Sequence, residues 1–194
     1  MRDLSKVFLN RNLSMILKEH EVQFVFQTLK EVVPCNLIVF GMGFDTGMWH
    51  DCNEGGRTVF LENSLEWHDK INDMYSDIES YVVNYKTDLL DWENTLNDIE
   101  KLELDLPDSI LDTKWDVAIV DGPVGKRFRK YLKLYGEPPG RMSSMYMAHK
   151  LLKENGVMFA HDFNRVIEKT SALKFFGEEN FEGSDGYMAK FTKR

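Results

Sequence analysis

Leu37-Ile38-Val39-Phe40-Gly41-Met42-Gly43 is the stretch on which the fold turns. A short unbroken apolar run that ends in glycine suits a strand buried on both faces, as in a parallel sheet covered by helices. Ahead of it, Val22, Val25, Phe26, Leu29, Val32 and Val33 recur at three- and four-residue steps, the spacing of an amphipathic helix that Pro34 stops. Behind it the same kind of run returns as Thr58 to Leu61, Tyr81 to Val83, Val117 to Val120 and Val157 to Ala160. Helix-like stretches lie between: Ser64 to Tyr75, Trp92 to Leu102, Arg141 to Lys153 and Arg165 to Phe176. Strand alternates with helix, which predicts a parallel α/β sheet with right-handed crossovers. The tail departs from this rhythm. Asn180 to Gly183, Ser184-Asp185-Gly186 and Tyr187 to Phe191 read as an antiparallel hairpin at or near the sheet edge. The acidic stretch Glu93 to Asp112 is expected to be a solvated surface insertion.

The chain of 194 residues suits one domain, with residues 1–34 as an N-terminal helical segment and 35–194 as the α/β core. A hydrophobic content of 43% excludes a disordered chain, and no apolar run is long enough to cross a bilayer. A net charge of −8 argues against nucleic acid as a partner. Every apolar stretch in the first residues is broken by a charge or Asn, and Cys35 and Cys52 lack metal-ligand spacing. The expectation is a soluble, cytoplasmic protein without membrane association.

In open α/β sheets, ligands bind beyond the carboxyl ends of the strands. The first strand is followed by Gly41-Met42-Gly43-Phe44-Asp45-Thr46-Gly47. Thr46 stands where a dinucleotide fingerprint has its third glycine, so the loop suits a cofactor without a pyrophosphate, and a nicotinamide dehydrogenase is a distant alternative. The second strand ends in Glu62, placed to accept hydrogen bonds from a ribose; capping the helix that starts near Ser64 is the plainer role. Together they point to an adenosine-containing ligand. The fourth strand ends in Asp121-Gly122-Pro123 and the fifth in His161-Asp162-Phe163-Asn164. Two chemistries fit. Asp121 and Asp162, with Asn164 or His161, could hold a divalent cation. Alternatively His161, oriented by Asp162, or Asp162 itself acts as a general base. One of these acids capping the next helix is the structural alternative. Lys126, Arg127, Arg129, Lys130 and Lys133 crowd beyond Asp121 and would attract an anionic substrate such as a uronic acid or a sugar phosphate. Arg141, after Pro138-Pro139-Gly140, could clamp a carboxylate, and Trp49 could stack on a sugar or adenine, with core packing at least as good a use for it. The methionines near these loops read as core.

Cys35 to Gly43 and Gly55 to Glu62, then Leu106-Pro107-Asp108, Trp115-Asp116, Gly140-Arg141-Met142 and His161-Asp162 to Lys169, resemble the plant glucuronoxylan 4-O-methyltransferase and irregular-xylem family. The similarity keeps its order from about residue 34 to 176, although Phe44 stands where the family pattern leads one to expect His. The resemblance implies a Rossmann-like class I methyltransferase sandwich, S-adenosylmethionine as donor, and transfer to a hydroxyl of a glucuronic acid residue on a glycan. It would place Gly41 and Gly43, with Asp45 in the same loop, against the donor and Glu62 on its ribose. Asp121, Arg141, His161 and Asp162 would form the acceptor side. A metal-dependent O-methyltransferase of a small phenol or free sugar, and a non-catalytic donor- or glycan-binding protein, are the alternatives.

Overall fold

The computed structural model describes residues 17–124 and 138–194. Helix α1 (Glu19–Val32) leads into β1 (Asn36–Phe40), α2 (Thr46–Cys52), β2 (Arg57–Glu62), α3 (Leu65–Met74) and β3 (Glu79–Val82). Three single turns follow, α4 (Trp92–Thr95), α5 (Ile99–Leu102) and α6 (Asp108–Leu111), before β4 (Trp115–Val120). The chain closes with α7 (Met142–Leu151), β5 (Leu152–Ala160), α8 (Val166–Phe176), β6 (Phe181–Asp185) and β7 (Met188–Thr192). The seven strands form one sheet in the order β3-β2-β1-β4-β5-β7-β6. β1 to β5 are parallel, and β7 runs antiparallel to both β5 and β6.

The unbroken apolar runs have a simple cause: both faces of the central strands are covered. Ile38, Phe40, Leu61, Ala118 and Val120 pack on one face against Met145, Ala148 and Ala172 of α7 and α8. Leu37, Val39, Phe60, Val117 and Ile119 pack on the other against Val22, Val25 and Leu29 of α1, Trp49 of α2 and Ile71 of α3. Each fully buried Leu, Ile or Phe contributes on the order of 1.5–3 kcal/mol. Met42, Met48, Met142, Met145 and Met147 are all buried.

Three expectations are corrected. β3 is an edge strand and only partly buried, so it is not covered on both faces. Trp92 to Leu102 is two turns rather than one helix, because the Asp98 side chain accepts the Lys101 N–H and starts a second turn. The acidic stretch is no solvated insertion, since Leu96, Leu102, Leu104, Leu106 and Ile110 are buried. In Leu102-Glu103-Leu104-Asp105-Leu106 the leucines alternate with acids, so one side faces inward while the charges stay wet.

The ends of β1 and β4 come into direct contact at the carboxyl end of the sheet. Gly41 has φ +104°, and a Cβ there would lie 2.8 Å from the Gly122 nitrogen and 2.9 Å from its Cα. A Cβ on Gly122 would lie 2.5 Å from the Gly41 Cα. The N–H groups of Asp121 and Gly122 both donate to the Phe40 carbonyl, at 3.0 and 2.6 Å. Gly41→Ala combines a left-handed backbone with a clash against main chain, and is expected to cost about 2–4 kcal/mol. Denaturant unfolding checks this; an unchanged midpoint would refute the close contact.

Candidate active site

The strand order carries the loops after β1, β2, β4 and β5 to one end of the sheet. Glu62, the last residue of β2, is 7% exposed. Its Oε2 accepts the Met42 N–H at 2.9 Å, and its Oε1 accepts the N–H groups of Asn63 and Ser64 at 2.9 and 2.8 Å. Burial pushes this carboxyl's pKa up against those three donors. A carboxylate has about four acceptor positions, so one remains on Oε2. The side-chain cap of α3 is Ser64, not Glu62.

Asp45 folds its carboxylate over Gly43, where a Cβ would lie 2.6 Å from Oδ1. Its Oδ2 accepts the Trp49 indole N–H at 2.8 Å. Burial and then the neighbouring Asp121 charge push its pKa up to about 6, against the Trp49 hydrogen bond. Trp49 itself is 1% exposed and meets Phe26 edge to face, so its rings have no free face for a ligand. The stacking role is corrected: Trp49 is core and orients Asp45.

Across the crevice, Asp121, His161, Asp162 and Arg141 form one network. Asp121 Oδ1 is 2.8 Å from His161 Nδ1 and 3.2 Å from Arg141 Nη2. No described residue donates to Asp121 Oδ2, and the side chain is 23% exposed. Both Asp162 oxygens are taken, Oδ2 by Arg141 Nη2 at 3.0 Å and Oδ1 by Arg165 Nη2 at 2.7 Å. Asp162 also has φ 61°, a left-handed backbone unusual outside glycine. It does not cap α8, whose first turn has no side-chain cap, and Asn164 is exposed.

These distances revise two roles. Arg141 is buried and spends Nε on the Pro123 carbonyl at 3.1 Å and Nη1 on the His161 carbonyl at 2.9 Å, besides the two carboxylates. It braces the network instead of standing free to clamp a substrate carboxylate. His161 is 4% exposed, and the acid on its Nδ1 is Asp121, with Asp162 at 3.8 Å. Its Nε2 faces Glu21 Oε2 at 3.8 Å. The ring is enclosed on both sides; among the described residues, the network's carboxylate oxygen without a donor is Asp121 Oδ2. Burial is the largest single influence on both members of the pair, lowering His161 and raising Asp121, but their mutual hydrogen bond and the surrounding charges together outweigh it: His161 ends above its ordinary pKa and Asp121 below.

Sequence reasoning missed Glu21 and Tyr85. Glu21 is fully buried on α1, accepting the Lys18 N–H on Oε2 and the Tyr187 N–H on Oε1. Its signal was present: Glu21 precedes Val25 and Leu29 at four-residue steps, a charge on the apolar stripe. Tyr85 shares a 2.9 Å hydrogen bond with Ser144, whose hydroxyl donates to the Gly122 carbonyl. The basic residues Lys126, Arg127, Arg129, Lys130 and Lys133 lie outside the described residues.

The model of the IRX15/IRX15L/GXM family matches residues 20–104 and 94–191. The chain belongs to that family. It is 35% identical to Arabinogalactan O-methyltransferase 1 of Arabidopsis thaliana over 80% of this chain and 59% of that protein. It is 34% identical to Glucuronoxylan 4-O-methyltransferase 2 of the same plant, over 89% and 64% respectively. The chain thus spans somewhat under two thirds of these family members. Among solved structures, a putative caffeoyl-CoA O-methyltransferase from Staphylococcus aureus aligns at TM-score 0.51 and 12% identity, covering 99% of this chain and 92% of that one. A TehB-like SAM-dependent methyltransferase from Corynebacterium glutamicum aligns at 0.52 and 13%, covering 98% and 97%. Those likenesses establish the class I Rossmann-like methyltransferase fold. Among the described residues, no helix is long and apolar enough to cross a membrane.

Asp45 gives this family member a pH signature. The unfolded chain releases the Asp45 proton at the ordinary carboxylate pKa of 3.8, the folded one only near 6. Its contribution to stability is therefore complete below about 4 and lost as pH rises through about 6. Asp45→Asn keeps the acceptor for Trp49 and is expected to be more stable than the parent at pH 7.5, by no more than about 3 kcal/mol. That gain should shrink towards pH 4.5 in denaturant titrations. A constant difference across the range would contradict the shift.

Proposed function

We propose that this chain is an S-adenosylmethionine-dependent O-methyltransferase acting on a sugar hydroxyl, with the 4-hydroxyl of a glucuronic acid residue in a glycan as the acceptor. The observation that carries the chemistry is Asp121 Oδ2, which no described residue bonds, on a carboxylate whose other oxygen is pinned by His161 and Arg141. The acceptor class rests on the named activities of the glucuronoxylan and arabinogalactan relatives.

The residues present fit the donor. Gly41 and Gly122 leave no side chain between the ends of β1 and β4, and Glu62 keeps an acceptor position beside the glycine loop for a ribose hydroxyl. Asp45 adds a carboxylate against Gly43, suited to the cationic methionine end. When bound, S-adenosylmethionine supplies a methyl group on a positively charged sulfur. The chain's task is to align an acceptor oxygen with that methyl, and alignment alone is worth about 7–11 kcal/mol when geometry is near-attack. Asp121 Oδ2 would accept the proton that the acceptor hydroxyl gives up when its oxygen is methylated. His161 and Arg141 hold Asp121 in place, and Asp162 and Arg165 hold Arg141.

A divalent cation is the second reading. Ligand atoms of Asp121, His161 and Asp162 lie within 4.8 Å of one another, and Asp121 and Asp162 would hold such an ion as a Lewis acid for the developing alkoxide. The guanidinium of Arg141 holds that position here. Transfer retained in a chelator rules the ion out; loss that a divalent salt restores assigns charge stabilisation to it.

Labelled donor offered with acidic and neutral oligosaccharides and small phenols tests the acceptor. Label is expected in glucuronate-bearing oligosaccharides, whereas tight donor binding without transfer would make this a binding protein. Asp121→Asn should lower kcat by about 100-fold or more while leaving donor affinity within about twofold. Equal loss of both would remove Asp121 from the role of base.

A further inference from the structure

Four hydrogen bonds close into a ring around Glu62. Glu62 Oε2 accepts the Met42 N–H at 2.9 Å, and the Met42 carbonyl accepts the Trp67 indole N–H at 2.5 Å. The Trp67 backbone N–H donates to Ser64 Oγ at 3.2 Å, and the Ser64 N–H returns to Glu62 Oε1 at 2.8 Å. The ring ties together three separate pieces: the glycine loop after β1, the end of β2, and the first turn of α3.

Met42 is the residue that most needs such a tie. It sits between Gly41 and Gly43, where the backbone has the greatest conformational freedom, and the ring adds to the bonds that the Gly41 N–H makes to the Leu61 carbonyl and the Gly43 N–H to Thr46 Oγ1. The ring holds the N–H on one side and the carbonyl on the other. It also fixes Glu62, because one of its oxygens is bound to the loop and the other to the start of α3. The indole is itself held, meeting the Phe44 ring edge to face at 5.6 Å, with the Lys70 ammonium 4.3 Å from the Trp67 ring centre and 5.2 Å from that of Phe44. Phe44 belongs to the glycine loop, so the loop grips α3 by ring packing as well as by the hydrogen bond.

We propose that Trp67 is a positioning residue for the methyl donor: by closing this ring it sets the glycine loop and Glu62 in their binding arrangement before the donor arrives. The proposal rests on the donor reading above. A preset loop spares the donor the entropy of ordering it, so the effect falls on donor affinity and not on the methyl-transfer step.

Trp67→Phe removes the indole N–H and keeps a ring against Phe44 and Lys70. Donor Kd from calorimetry is expected to rise about fivefold to tenfold, one hydrogen bond's worth, with kcat at saturating donor within about twofold of the parent. Ser64→Ala opens the ring at another bond and should raise Kd in the same direction. Because a ring opened once is already open, the double variant should lose clearly less than the product of the two single losses. Thermal unfolding measured alongside separates positioning from mere support: a structural role would lower Tm and kcat together and leave the Kd effects multiplying independently. Unchanged donor affinity in Trp67→Phe, or independent effects in the double variant, would overturn the proposal while the donor reading stands. Failure of the unaltered protein to bind S-adenosylmethionine would overturn both.

Discussion

Two glycines in van der Waals contact, Gly41 at the end of β1 and Gly122 at the end of β4, set the geometry on which the site depends. The strands run side by side in register, Leu37 opposite Val117 through Phe40 opposite Val120. Their loops leave the sheet so close together that a methyl group on either residue would overlap the other's backbone. This is the point where the strand order reverses, with β2 and β3 on one side of β1 and β4 and β5 on the other. The contact brings the glycine loop and Glu62 to the same end of the sheet as Asp121, His161 and Asp162.

The charges around this point are arranged in depth. Asp121 is the partly open end of a chain that alternates in sign through Arg141, Asp162 and Arg165, each link an ion pair of 2.7 to 3.2 Å. Removing one member of such a chain leaves its partner buried and unpaired, so the network behaves as a unit. His161 joins it to Glu21, and through Glu21 to α1 and the turn of the terminal hairpin. A side chain on Gly186 would meet Glu21 Oε1 at 2.5 Å, so the hairpin turn packs directly on that buried acid. The hairpin thus does more than extend the sheet: it seals the carboxylate behind the histidine.

Much of the fold was legible because burial leaves a pattern. Strands covered on both faces must be apolar throughout, and β1, β2 and β4 announced themselves that way. β3 has one neighbour, and its outward side chains carry no such demand, so the sequence overstated its burial. Glu93 to Asp112 misled for the opposite reason: its acids draw the eye while Leu102, Leu104 and Leu106, at every second position, do the packing. At the candidate site, Glu62, Asp121, His161 and Asp162 were legible as residues at strand ends, and that is where the structure has them. Their roles needed distances. Which acid meets the His161 ring, and how many donors Arg141 has left, depend on rotamers and on residues far apart in the chain. The ring through Met42, Ser64 and Trp67 had no signature at all, since a tryptophan in an amphipathic helix reads as packing.

The central claim is that a sulfur-linked nucleoside lies across the Gly41–Gly122 contact with its sugar on Glu62. A crystal structure with S-adenosylhomocysteine soaked in tests it most directly. A ribose hydroxyl is expected on Glu62 Oε2, with the sulfur towards Asp121. Density for the nucleoside elsewhere on the protein, or a ribose turned away from Glu62, would contradict it.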